Sequence, residues 1–371
     1  MTLFAAFSEP FQRWWAMRQM RSLQKQDSHD HEWDFKGLIF QAEEALDRDL
    51  RTRARELWTQ AYARFPDLAM NSETALELLF RLGLYQEAED LMTRAVKQYP
   101  RSMQALEGLA TVTHRRGKHD QALRLSELLR KNHPSSLKGY WIGAASLSHL
   151  GRPQEAEALL AKGLQMGPDD LILHIEYARV AERRQDWDET LRRWAYVHET
   201  LDNLVGTIGI AATLARLGRY DEADAILTGV FYKTGNNFAV WMTYVNIAEQ
   251  KEDWEEAATR WTTVRERFPL SPFSYTGPIK SLEKLGRQQE AEEILREGIE
   301  RLKQEPSIFI EYAGLAYRSG NWGNVAERWG VVRKRFPGMP EAYKWEAAAL
   351  EALHRPEEAA SIRAMAPAQP A

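Results

Sequence analysis

The stretch densest in groups that bind metals or move protons is Asp27-Ser-His29-Asp-His31-Glu-Trp-Asp34, where imidazoles and carboxylates alternate. Such donors suit zinc, but a site needs a rigid frame to hold its ligand geometry. This stretch reads as a linker, so no metal and no cofactor are expected there or elsewhere. His114, His149, His174 and His198 stand singly at helical positions and read as surface or boundary residues. The chain has no cysteine, which removes disulfides, thiolate zinc sites and cysteine nucleophiles together. Gly-rich phosphate loops, His-Glu-x-x-His and Gly-x-Ser-x-Gly are also missing, so no catalytic residue is assigned and no enzyme is expected. The remaining chemistry is aromatic: there are 13 Trp in 371 residues. Trp187 and Trp194 recur as Trp254 and Trp261, then as Trp322 and Trp329, at intervals of 67, 67, 68 and 68 residues. Rows of this kind can stack on a sugar or a base, but positions seven apart share one helical face and are expected to fill the interior.

The elements that carry these aromatics follow a repeat. Aligning the Glu-Ala and Gln-Ala pairs places Ala54, Ala88, Ala122, Ala156, Thr190, Ala223, Ala257, Ala291, Val325 and Ala359 at steps of 34 residues, with one of 33. Five residues before this slot stands Gly83, Gly117, Gly151, Gly218, Gly286 or Gly320, where a first helix can end in a left-handed turn. Twelve residues after it, Pro66, Pro100, Pro134, Pro168, Pro269 or Pro337 stops a second helix. Small residues twelve before the slot, Ala42, Ala110, Ala144, Ala178, Ala211, Ala313 and Ala347, let the two helices approach. The unit is therefore helix, tight turn, helix, stop. The Trp intervals add a two-unit cassette, with Asp/Asn-Trp and Arg-Trp in one member and Gly-Arg with Glu-Ala in the other. Gly277 and Pro278 enter the eighth unit's first helix, where a late helix start is expected ahead of the alternative, a hinge.

This small, glycine, aromatic, alanine and proline pattern resembles the tetratricopeptide repeat family, over ten units from about Phe35 to the end. Thr190 and Val325 depart from it at the alanine, and Asp202, Gly235 and Lys303 at the proline. The resemblance implies an all-α fold, a right-handed superhelical solenoid of stacked antiparallel helix pairs. It also implies a concave groove, walled by the first helices, that binds extended peptides or partner helices. The family's usual contact slots lie fifteen and eleven residues before the register alanine. The first slot gives a ladder of Trp141, Ile175, Ile208 and Met242, flanked by Glu73 and Glu107 on one side and Thr276 on the other. The second slot adds Arg179 and Asn246, which can hydrogen-bond a peptide backbone while the ladder takes side chains. These six residues are the expected partner-binding groove. A basic column, Arg81, Arg115, His149, Arg183, Arg216, Lys284 and Arg318, closes the first helices, where a cation suits the helix dipole. The Lys and Asn arrangement of the family's carboxylate clamp is not reproduced.

The array is expected to occupy residues 35–371, after a linker at 27–34. Residues 1–26 form a separate object: Phe4, Phe7, Phe11 and Trp14 at helical spacing, beside Arg13, Arg18, Arg21 and Lys25 against Glu9, give net charge +3. This predicts an amphipathic helix, interrupted near Pro10, that caps the first repeat, docks on a partner or lies on an anionic membrane, with Phe4, Phe7, Phe11, Trp14, Arg18 and Arg21 as its contacts. The apolar run at the start has no basic residue before it and is not read as a signal peptide. No stretch is long and apolar enough to span a bilayer. The expected location is cytoplasmic, peripheral at the inner face of a membrane.

With 44% hydrophobic and 27% charged residues the chain reads as a folded globular sequence, and a net charge of -4 with pI near 6.2 argues against nucleic acid as partner. The leading expectation is a non-enzymatic scaffold that recruits a protein partner. Trp-bearing repeats of bacterial cell-envelope and polysaccharide proteins look similar at the level of fold. A glycan-related enzyme or glycan-binding superhelix using the Trp rows is the alternative, and an RNA-binding solenoid is the third reading.

Overall fold

The computed structural model describes residues 30–47, 50–235 and 237–367. Every regular element among them is a helix, and the helices pair at the 34-residue register. The chain divides into two compact units, Met1–Glu189 and Thr190–Ala371, with the division inside the helix Trp187–Glu199. In the first unit the pairs are Asp30–Asp47 with Arg51–Arg64, Glu73–Arg81 with Tyr85–Gln98, Met103–Arg115 with His119–Asn132, and Leu137–His149 with Pro153–Met166, followed by Leu171–Arg183. The second unit repeats the scheme from Leu204–Arg216 with Tyr220–Thr228 to Pro340–Ala352 with Pro356–Ala364.

Nine pairs, those whose turn lies among the described residues, close through one device. The residue five before the register alanine has positive φ, and the amide after it donates to a carbonyl five residues back, as from Leu84 N to Leu79 O at 2.9 Å and from Lys118 N to Thr113 O at 3.0 Å. This capping satisfies carbonyls that the helix end would otherwise leave bare. Glycine does so without strain at Gly83 (φ 75°) and five further units. Gln185, Glu252 and His354 hold the same slot at φ 58°, 59° and 59°, so the geometry persists where glycine is missing. The array imposes that turn on side chains that resist it by about 1–2 kcal/mol.

The cassette has a capping logic of its own. Asp186, Asp253 and Asn321, which precede the Trp, accept from the backbone N–H three residues on and so cap their second helices. In the alternate units that position is Arg152, Arg219, Arg287 or Arg355, which instead pairs with the glutamate three residues on. The second helices end before the stop prolines, at Tyr99 (φ -127°, ψ 70°) and His133 (φ -136°, ψ 75°), outside the helical region that a following proline disfavours.

Close packing follows the small residues. Ala42, Ala110, Ala144, Ala178, Ala211, Ala313 and Ala347 are fully buried, as are the register alanines, Thr190 and Val325. Leu78, Leu79, Leu106, Leu129 and Leu160 fill the space between, each contributing about 1.5–3 kcal/mol of apolar burial. First helices also pack on one another: Asp30–Asp47 on Glu73–Arg81, and Met103–Arg115 on Leu137–His149. They form the wall that carries the contact slots.

Two expectations need correcting. The helix Asp30–Asp47 reaches back into the stretch taken as a linker, so residues 30–34 belong to the first pair, and Arg64 of its second helix donates to Asp34 at 3.0 Å. In the eighth unit the helix does not start late. It begins at Phe273–Thr276 and resumes at Pro278–Lys284, with Gly277 between them at helical angles. The residues expected to dock, Phe4, Phe7, Phe11, Trp14, Arg18 and Arg21, lie outside the described residues.

Candidate partner-binding surfaces

The Trp rows divide by burial. Trp194, Trp261 and Trp329 are interior, while Trp187, Trp254 and Trp322 are half-buried. Two of the interior rings lie against a glycine of the following first helix. A Cβ on Gly209 would stand 2.3 Å from Trp194 Cδ2, and one on Gly277 2.1 Å from Trp261 Cη2. At the third copy, Trp329 stacks on Trp345 with ring centroids 6.3 Å apart. Trp261 Nε1 donates to Glu249 Oε1 at 2.9 Å, which satisfies the indole inside the protein. In the second and third copies the arginine preceding the Trp is buried as well. Arg260 lies over the Tyr244 ring at 3.6 Å and donates to Asp224 Oδ1 at 2.8 Å; Arg328 lies over Tyr312 at 3.6 Å and pairs with Glu292 at 2.9 Å. The Arg-Trp pair is thus a seam between successive helix pairs, and rings this enclosed present no face to a sugar.

An open surface lies in the first unit. Three first helices, Glu73–Arg81, Met103–Arg115 and Leu137–His149, border a cleft of about 410 Å³. Apolar side chains line it: Met70, Leu76, Phe80, Met92, Met103 and Trp141. Its charged members are Glu73, Glu77, Glu107, Arg115 and Lys138. Glu73, Glu107 and Trp141 occupy the first contact slot of their units, and Glu77 and Thr111 the second. Lys138 bridges Glu73 at 2.5 Å and Glu107 at 3.5 Å. Burial pulls the Lys138 ammonium down, but its carboxylate partners outweigh this and hold it above the usual lysine range. Arg115 lies over the Phe80 ring at 4.0 Å and within 3.6 Å of Glu77.

The expected ladder falls across the two units. In the first, Trp141 borders the cleft, whereas Ile175 is only 7% exposed, so it supports the wall rather than offering a rung. Arg179 is exposed, with its guanidinium on Glu176 at 2.5 Å. In the second, Ile208 and Met242 are half-buried against neighbouring apolar clusters and Asn246 is exposed. The open cleft therefore sits where the sequence placed the acidic end of the ladder. Its methionines went unremarked because Met70 and Met92 lie outside the contact slots, on a short helix and a second helix. The basic column closes the first helices as expected, and Arg318 is engaged by Glu283 and Glu311.

The histidines are not all single. His114 ends one first helix, His119 opens its second helix across the Gly117 turn, and His149 ends the next first helix. Their ring centroids are 5.2 Å (His114 to His119), 5.8 Å (His114 to His149) and 4.3 Å (His119 to His149) apart. Burial, reinforced by His119, His149, Arg183 and Arg115, pulls His114 down to about 4. Burial, with Arg183 and His119, lowers His149 too. The His119 and His149 rings are parallel, and lone pairs lying in parallel planes do not converge on one ion. Among the described residues no group of three or more His, Cys, Asp or Glu is arranged to hold a metal.

A family model described as tetratricopeptide repeat matches residues 74–136, the stretch that builds most of the cleft. The chain thus carries tetratricopeptide repeats at residues 74–136, inside a helix-pair register of the same 34-residue spacing that runs through both units. Among solved structures it is similar to a tetratricopeptide repeat protein from Parabacteroides merdae, at 19% identity over 63% of this chain and 93% of that one, with a TM-score of 0.48. It is similar also to a thermophilic repeat protein of Thermus thermophilus (22% identity, 46% and 94% covered, TM-score 0.43) and to yeast Tom70 (13%, 88% and 90%, 0.48). No curated protein matches the chain. No helix among the described residues is long and apolar enough to cross a membrane.

Proposed function

We propose that the chain is a non-enzymatic scaffold that holds a segment of a partner protein against the wall of its first helices, with residues 1–26 bringing it to a membrane surface or a membrane protein. The observation that carries this reading is the cleft between Glu73 and Trp141, which leaves Met103 and Trp141 accessible beside the exposed Glu73 and Glu77. An apolar floor with a few fixed charges at its rim suits a peptide whose side chains enter the floor and whose polar groups meet Glu73, Lys138 and Arg115. On the first unit Trp141 and Arg179 are the proposed contacts, and on the second Ile208, Met242 and Asn246, with Ile175 behind them.

The test compares the intact chain, a Trp141→Asp variant and a copy lacking residues 1–26, each immobilised and its captured proteins identified by mass spectrometry. A partner retained by the intact chain and lost with Trp141→Asp, at unchanged helicity and melting, supports the cleft. Retention by the folded variant overturns it. Flotation on anionic vesicles at low salt, where a +3 segment binds best, tests the membrane role, and no flotation rejects it.

A further inference from the structure

We propose that residues 1–26 of the same chain occupy the cleft between Glu73 and Trp141, so that the scaffold's own N-terminal segment competes with its partner for that surface. The inference rests on that cleft being a docking surface, and it adds the regulation of the surface.

Three observations lead there. The first is connection. The helix Asp30–Asp47 lies directly against Glu73–Arg81, whose first residue, Glu73, borders the cleft. Residues 27–29 join the segment to that helix, so the tether is a few residues long. A short tether gives an effective concentration of the order of millimolar, far above that of a free competitor.

The second is size. Helices that pack side by side are about 8–10 Å apart, so a cleft bordered by three of them is roughly 20 Å across. Phe4, Phe7, Phe11 and Trp14 span ten residues, about 15 Å along a helix. The cleft suits them: Met103 is exposed at its rim, over Met70 and Met92 buried beneath, and a flexible thioether adapts to aromatic rings. Gly108 lets Met92 pack into that floor, since a Cβ there would lie 2.3 Å from the Met92 sulfur.

The third is charge. The cleft carries Glu73, Glu77 and Glu107 against Arg115 and Lys138, three negative against two positive, net -1. Glu73 and Glu77 are its more exposed acids, with side chains 74% and 54% accessible. The segment is net +3, with Arg13 inside its aromatic row and Arg18, Arg21 and Lys25 on the C-terminal side of it. Aromatics meet the floor while arginines meet the acids, which sets one orientation.

The absence of cysteine makes the test direct, because two introduced cysteines are the only thiols in the 371-residue chain. Ser8→Cys is paired with Met103→Cys, and Gln12→Cys with Gln104→Cys as a second pair in case one variant folds poorly. Ser8→Cys with Glu127→Cys is the control, since Glu127 is exposed on a second helix and borders no part of the cleft. Each protein is treated with a short bis-maleimide at about 1 μM, where a tethered contact outcompetes collisions between molecules by about a hundredfold or more. The expected result is an internally cross-linked monomer from a cleft pair, at least about tenfold faster than the control. That rate should fall severalfold when Phe7→Ala and Phe11→Ala are added, or Glu73→Lys and Glu77→Lys. Equal rates for cleft and control pairs, no cross-link from either folded cleft pair, or cross-linked dimers in place of monomers would each overturn the proposal, the last by assigning the cleft to a second copy. The reaction contains no partner, so its failure is separate from a failure of partner capture.

Discussion

The seam around Trp261 and the cleft around Trp141 are both rich in aromatic side chains on units of one register, yet they differ in what faces the ring. Trp261 has the backbone of Gly277 against it and Glu249 on its indole nitrogen, so nothing is left to bind. Trp141 has the edge of His114 on one side and an open cleft of about 410 Å³ on the other. Aromatic content therefore says little about recognition in a repeat array. What decides is whether the next helix brings a glycine that closes over the ring or side chains that leave a gap.

This contrast is sharpest in stability. Trp261→Ala removes a buried ring and should cost about 3–5 kcal/mol, and Gly277→Ala, which drives a methyl into that ring, about 1–3 kcal/mol. Met103→Ala, on the exposed rim of the cleft, should stay within about 0.5 kcal/mol. Urea unfolding of the three variants checks this, and a Trp261→Ala protein as stable as the parent would remove the distinction.

The next effect belongs to the buried arginine of the seam. Arg260→Ala strands Asp224 and empties the face of Tyr244, at a cost of about 2–3 kcal/mol, below that of a fully buried pair because Asp224 keeps some water. Thermal melting reads the loss. Arg152→Ala, whose partner Glu155 is fully exposed, should barely shift the midpoint.

At the edge of the cleft the histidine cluster predicts a pH dependence. His114 titrates near 4 in the folded chain, below the ordinary value of 6.5, so the unfolded chain takes up the proton first as the medium is acidified. Stability is then complete above about pH 6.5 and falls as pH drops towards 4, by about 1–2 kcal/mol once partial exposure is allowed for. Melting curves from pH 7.5 to 4.5 should show this slope in the parent and a shallower one in His114→Gln.

The smallest effect is a gain. Glu252 holds a left-handed turn that six other units give to glycine, so Glu252→Gly should stabilise the protein by about 1 kcal/mol. Gly218→Ala, at the same register, should lose a similar amount.

How much was legible follows the range of the interactions involved. The turn at Gly83, the stop at Pro100 and the burial of Ala88 depend on a residue and its neighbours within one helix pair, and the 34-residue spacing exposed them. The cleft was only half legible. Its rim, Glu73, Glu107 and Trp141, sits in contact slots that the register located, but Met70 and Met92 reach it from other elements, and nothing in the spacing marks them. Ile175 illustrates the opposite failure. It occupies a contact slot like Trp141, yet its smaller side chain is covered by its neighbours. His114 and His149 read as single residues, because only a helix end, a tight turn and the next helix end bring them together with His119.

The sequence by itself determined the helix pairs, their turns and stops, the two-unit cassette and the wall of first helices, because short-range sterics, capping and the burial of small residues act within one repeat length. Only the tertiary structure decided which aromatic rings are sealed and which stay open. That depends on the residue a neighbouring helix presents across the interface, Gly277 against Trp261 but Met103 and Met92 at the cleft beside Trp141, and such pairings are set by how successive pairs pack rather than by any pattern along the chain.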